Sequence, residues 1–96
     1  LSFTLFIKSF ILLSVSGDSM IDAGIMPGDM VLIERGRDPK NGDIVIAQVD
    51  NEWTMKYYIK QGKTLILRPA NEKYPDIKPQ DELKIDGIVT SVIRKY

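Results

Sequence analysis

The sequence predicts a single domain that is all-β or nearly so. Three observations predict it. Apolar, β-branched runs of strand length recur along the chain, divided by clusters of Gly, Pro, Asn, Asp and Ser. No long amphipathic helical pattern interrupts them. The chain is 96 residues long, enough for one core and too short for two. A hydrophobic fraction of 44% is ordinary for a globular chain and argues against intrinsic disorder. There is no internal repeat and no low-complexity stretch.

The elements follow in order. Leu1 to Val15 is apolar apart from a few hydroxyls and Lys8, and reads as buried strands. Within it, Phe10 to Val15 is the strand that leads into Ser16-Gly17. Residues 17–24 are too rich in Gly, Asp and Ser for a strand and too short for a full helix, so they form a turn with one helical turn around Ser19 to Asp22. Pro27-Gly28-Asp29 is a turn, with Pro setting φ and Gly permitting a positive φ. Met30 to Glu34 is a strand, Arg35 to Gly42 a loop closing on an Asn-Gly turn, and Asp43 to Val49 the next strand. Asp50-Asn51 turns the chain into the return strand Glu52 to Lys60. On that strand alternation puts Trp53, Met55, Tyr57 and Ile59 on one face and Thr54, Lys56, Tyr58 and Lys60 on the other. Gln61-Gly62-Lys63 turns again into Thr64 to Arg68. Pro69 to Asp81 carries Pro69, Pro75 and Pro79 and is a long irregular segment. Glu82 to Ile93 is a long final strand with a bend or bulge at Gly87.

Composition excludes several functions. Thirteen basic and thirteen acidic side chains cancel, and no basic stripe stands out, so this segment has no general pull on nucleic acid. No Cys means no disulfide framework and no thiolate metal site; with no His as well, a metal or cofactor site has little to build on. The absence of Cys is compatible with a cytoplasmic protein. A membrane span needs about 20 apolar residues, and Lys8 interrupts the N-terminal run at its middle. A signal peptide would want a basic leader and a small-residue cleavage site, neither of which precedes Gly17. The absent initiating Met suggests a fragment or trimmed product.

The stretch Val15 to Ile25 carries the chemistry. It sets Ser19 on a glycine-flanked corner after an apolar strand. A serine hydroxyl is a weak nucleophile until a base takes its proton, and with no His that base must be another group. A lysine serves only as the neutral amine, which burial in apolar surroundings favours. Lys56 sits mid-strand between Met55 and Tyr57. Taken alone, a lysine there is more often a solvent-facing residue on the polar face of a hairpin.

Resemblance favours the pairing. Ser16-Gly17-Asp18-Ser19-Met20-Ile21-Asp22-Ala23-Gly24-Ile25, then Pro27-Gly28-Asp29, then Asn41-Gly42-Asp43-Ile44-Val45-Ile46-Ala47, then Glu52-Trp53-Thr54-Met55-Lys56 resemble, in that order, the C-terminal peptidase domain of the LexA, UmuD and phage-repressor family. Ser19 and Lys56 are 37 residues apart, as in the family. Residues 71–77 and 87–93 resemble it too. The resemblance covers 10–96; residues 1–9 match nothing in the family. It implies a mostly β domain of several short, highly bent antiparallel strands. It also implies a Ser–Lys dyad with Ser19 as nucleophile and Lys56 as general base, and self-cleavage of one peptide bond stimulated by the RecA–single-stranded-DNA filament after DNA damage. The backbone N–H groups of Asp18 and Ser19 are the candidates for the oxyanion hole, whereas Met20, Gly24 and Ile25 shape the loop and cleft. The side chain of Asp18 reads as a turn cap, and Asp22 and Asp29 as turn or loop residues.

A further departure, besides residues 1–9, qualifies this. The family's scissile bond, usually Ala-Gly or Cys-Gly, lies well upstream of the nucleophile, and the 18 residues before Ser19 contain no such pair. Ala23-Gly24 follows Ser19 and belongs to the motif. The chain is thus expected to be a processed product, a shortened form or a divergent member. Within the family, the stretches 42–50 and 87–90 lean toward a UmuD-like accessory subunit of an error-prone DNA polymerase. The alternative is the dimerisation and self-cleavage domain of a LexA-like repressor. Signal peptidase is a more distant alternative, with Lys60 as its base. A non-enzymatic interaction module is another. Both family readings imply a homodimer, for which Ile88, Val89, Val92 and Ile93 on the last strand could supply an interface.

Overall fold

A computed structural model describes residues 2–7, 9–79 and 83–95. It contains seven strands: β1 (Ser2–Ile7), β2 (Phe10–Ser14), β3 (Met30–Glu34), β4 (Ile44–Val49), β5 (Glu52–Gln61), β6 (Thr64–Arg68) and β7 (Leu83–Ile93). They form one sheet in the order β1-β2-β3-β7-β4-β5-β6, every neighbouring pair antiparallel. The mostly β fold expected from the sequence is therefore present. Its only helical element among the described residues is a 3-10 turn, Ile21–Ala23. The apolar N-terminal run forms two strands, β1 pairing with β2 from Ser2 opposite Ser14 to Ile7 opposite Phe10. Glu82, expected to begin the last strand, lies outside the described residues.

Chain order predicts hairpins but not where the last strand goes. β7 inserts between β3 and β4, so the two halves of the sheet meet on it. It is 11 residues long and leaves perfect register twice. Against β4 the register skips Asp86, and against β3 it skips Thr90. Each skip adds an unpaired residue and bends the strand. Gly87 sits at the first bend for a steric reason. A Cβ there would lie 2.4 Å from Ile33 Cγ2 and 2.7 Å from Glu34 O.

The β4–β5 connection is a two-residue turn with Asp50 at φ 49° and Asn51 at φ 69°. Two consecutive positive φ values match the right-handed twist of a tight hairpin, and short Asx side chains tolerate them. This turn fixes the register that puts Lys56 opposite Val45 and Thr54 opposite Ala47.

Alternation along β4 buries both faces of the sheet centre. Ile46 joins a larger core with Leu13, Met20, Ile25, Val31 and Met55. Val45 and Ala47 join a smaller one with Leu67 and Ile88. Lys56 therefore enters β5 between two apolar clusters, and only 6% of it is exposed.

Candidate active site

The corner after β2 is built by backbone bonds before any side chain acts. Val15 N donates to Asp29 O and Gly28 N to Val15 O, each at 2.8 Å, which carries the β2–β3 pairing one step past Ser14. Gly17 then takes φ 107°, a value open to glycine at little cost, and redirects the chain. Met20 drives its side chain into the larger core and is 1% exposed. Its carbonyl accepts from Ala23 N at 3.0 Å and from Ile25 N at 3.3 Å, closing the loop behind Ser19. Gly24, at φ 80°, ends the 3-10 turn in a left-handed cap. Ser19 is thus fixed from both sides, by the strand before it and the buried methionine after it.

The corner is set against β5. Lys56 Nζ lies 2.9 Å from Ser19 Oγ. It is also 2.7 Å from Thr54 Oγ1 and 3.0 Å from Met55 O. No carboxylate pairs with it among the described residues. Burial pushes its pKa below the ordinary lysine value, because removal from water penalises the ammonium. Lys60, the base that a signal-peptidase arrangement would use, is exposed near the far end of β5. Two clefts meet at Ser19. One is lined by Val15, Gly17, Met20, Trp53, Thr54 and Met55. The other is lined by Asp18, Lys56, Tyr74, Pro75 and Ile77. An extended chain laid across Ser19 has room on both sides of its hydroxyl.

The side chain of Asp18 does not cap its own turn. Its carboxylate accepts a hydrogen bond from the Tyr74 hydroxyl, which holds the Tyr74 pKa above its usual value. The turn bond goes instead to the Asp18 carbonyl, from Ile21 N at 3.4 Å. The backbone N–H groups of Asp18 and Ser19 find no acceptor among the described residues.

Asp29 is more than a turn residue. It is 3% exposed, and its Oδ2 accepts from Met26 N at 2.8 Å. Arg94 donates to both of its oxygens, at 2.8 and 2.7 Å, and reaches Gly24 O at 2.9 Å. The Arg94 bonds first, and the Met26 N–H second, hold the Asp29 carboxyl down at about 2. Asn71 was likewise unmarked by residue type alone: it is buried and reaches the Ser19 corner from the irregular segment after β6. Both residues bridge positions far apart in the chain. Their signal in the sequence is no more than an Asp in a turn and an Asn in a loop. Among the described residues no three acidic side chains are placed to hold a metal ion.

The family model for Peptidase S24-like proteins matches residues 5–90. The chain belongs to this family. Among curated relatives of this Peptidase S24-like chain, the LexA repressor of Clostridium novyi is 42% identical over 90 residues, which are 93% of this chain and 44% of that protein. The LexA repressor of Gluconacetobacter diazotrophicus is 46% identical over 86 residues, 88% of this chain and 34% of that protein. That of Desulforamulus reducens is 45% identical over 86 residues, 90% and 40% respectively. The chain thus spans less than half the length of the curated relatives it matches. The family match starts at residue 5, inside β1, so it takes in the second half of that strand and extends the family likeness upstream of residue 10, where the resemblance in sequence begins.

Proposed function

We propose that this chain is the serine peptidase domain of a LexA-like repressor, with Ser19 and Lys56 as a dyad that cleaves a peptide bond of its own protein. The observation that carries the reading is the 2.9 Å approach of Lys56 Nζ to Ser19 Oγ, made by a buried lysine that no carboxylate neutralises among the described residues. The relatives favour the repressor reading over the UmuD-like one, since those at 42–46% identity are LexA repressors. The polymerase-subunit role receives no support from them and is set aside.

The chemistry follows from the geometry. Neutral Lys56 accepts the Ser19 hydroxyl proton as Oγ attacks the carbonyl carbon of the scissile bond. The carbonyl π pair moves onto oxygen, and the N–H groups of Asp18 and Ser19 receive the charge. The Lys56 ammonium then protonates the departing amine. Water, activated by the neutral amine that remains, releases the acyl group from Ser19. The bond attacked lies in a segment upstream of Ser19 that enters the clefts as an extended chain. In this reading the repressor dimerises. Val92 and Ile93, 43% and 49% exposed at the end of β7, are the apolar residues available to a second copy, whereas Ile88 is committed to the core. The RecA–single-stranded-DNA filament would be the stimulus, and DNA contact would fall to another part of the protein. Among the described residues no helix is long and apolar enough to cross a membrane.

The test is to fuse an upstream segment carrying an Ala-Gly bond to this domain and follow cleavage with pH. Cleavage should accelerate as Lys56 loses its proton. Ser19→Ala and Lys56→Ala should each abolish it, and Lys60→Ala should not. Normal cleavage in Lys56→Ala, with loss in Lys60→Ala, would reassign the base and overturn the proposal.

A further inference from the structure

The Ser19 corner is gripped from outside by residues that the dyad does not use. Asn71 lies in the irregular segment after β6 and is 6% exposed. Its Nδ2 donates to Asp18 O at 2.9 Å, and its Oδ1 accepts from Lys73 N at 3.0 Å. The two bonds fix the amide's orientation, because a flipped Asn71 would set donor against donor and acceptor against acceptor. One residue earlier, Ala70 N donates to Ser19 O at 2.8 Å and Ala70 O accepts from Asp22 N at 2.7 Å. Two consecutive carbonyls of the corner, Asp18 and Ser19, are therefore held against the 70–71 segment.

The carbonyl and N–H of one trans peptide unit point in opposite directions. No described peptide bond is cis. The Asp18 carbonyl and the Ser19 N–H belong to the same unit. Pinning the carbonyl on Asn71 therefore turns the Ser19 N–H away from the 70–71 segment, and no acceptor among the described residues takes it.

We propose that Asn71 is a positioning residue whose side chain sets the Asp18–Ser19 peptide so that the Ser19 N–H stands ready for an oxyanion. This rests on the Ser19–Lys56 dyad reading above. When the Ser19 Oγ–carbon bond forms, the carbonyl π pair becomes a lone pair on the substrate oxygen and the hydroxyl proton passes to Lys56 Nζ. A donor already aimed at that oxygen stabilises the charge without reorganising. A carboxamide suits the task for two reasons. It donates to a carbonyl, and it adds no charge near Lys56 that would shift the base. Aspartate in its place would set an acceptor-only group against the Asp18 carbonyl.

The experiment uses the chain itself and p-nitrophenyl acetate, with acetylation of Ser19 followed by mass and the rate measured across pH. Ser19→Ala and Lys56→Ala should abolish acetylation; if either retains the rate, the dyad reading fails and the role of Asn71 goes with it. With those two inactive, Asn71→Leu and the smaller Asn71→Ser should slow acetylation by about tenfold to a hundredfold, less than the roughly hundredfold to thousandfold that outright loss of an oxyanion donor costs, because the Ser19 N–H is misaimed and not removed. The midpoint of the pH profile should stay where it is in the parent chain. An unchanged rate in both Asn71 variants would overturn the proposal. So would a slowed rate with a displaced midpoint, which would mean that Asn71 acts on Lys56. A measurement on the parent chain covers the case of variants that do not fold. Phenylboronic acid adding to Ser19 Oγ forms a tetrahedral boronate, and the Ser19 amide proton should then move downfield in the NMR spectrum. A Ser19 amide unmoved by adduct formation would also overturn the proposal.

Discussion

At Lys56 burial favours the neutral amine, and its pKa is pushed below the ordinary lysine value. Three oxygens surround its Nζ: Ser19 Oγ at 2.9 Å, Thr54 Oγ1 at 2.7 Å and Met55 O at 3.0 Å. The neutral amine is satisfied there by donating to Thr54 and Met55 and accepting from the Ser19 hydroxyl, and the ammonium by donating to all three, so the cost of burying the charge decides between them. The ammonium would have to give up water for three neutral oxygens, with no counter-charge among the described residues; burial of a charge without a partner is costly. Asp29 is the opposite case: a buried carboxylate held ionised by a bidentate Arg94 and the Met26 N–H. Its folded value of about 2 lies below the ordinary 3.8, so the folded state binds this proton more weakly than the unfolded chain does. Its contribution is complete above about pH 3.8 and drains away as pH falls through about 2. Urea midpoints measured between pH 5 and 2 should therefore drop for the parent chain across that window. For Asp29→Asn they should drop less. Equal acid sensitivity in the two proteins would mean that the Arg94 pair does not act through this carboxylate.

At the level of elements, the sequence was most informative where local chemistry decides the outcome. Met30 to Glu34 forms β3 with the expected boundaries, and the Asp50-Asn51 turn sits where two short polar residues separate apolar runs. Gly87 marked a bend in the last strand, but its cause lies in β3, where Ile33 and Glu34 O leave no room for a Cβ. Gly87→Ala should destabilise the domain by about 1–3 kcal/mol, the usual cost of forcing extra volume into a packed site. Urea denaturation gives this directly. A variant as stable as the parent would show that β7 can move away from β3 at no cost. What local pattern could not supply was the order β3-β7-β4, because that pairing is set by contacts between residues from 34 (Val49 and Leu83) to 63 (Met30 and Ile93) positions apart.

Across the whole molecule, the candidate site divides the same way. Ser19 and Lys56 stand out in the sequence because a glycine-flanked serine, a lysine on an apolar strand and a family spacing coincide. Asn71 and Arg94 do not, because their partners, Asp18 and Asp29, lie 53 and 65 residues away. An Asn in a proline-rich segment or an Arg near a strand end has many unremarkable uses. The fold brings these residues to one corner from four places in the chain: the turn after β2, the loop before β3, the segment after β6 and the end of β7. The central claim is that burial on β5 keeps Lys56 neutral beside Ser19. The most direct measurement is an NMR titration of the Lys56 side chain, following its ε-carbon with pH in the intact domain. Lys56 should titrate below the ordinary lysine value. A Lys56 that titrates at that value would contradict the claim, because the amine would then be protonated where the dyad needs it to accept a proton.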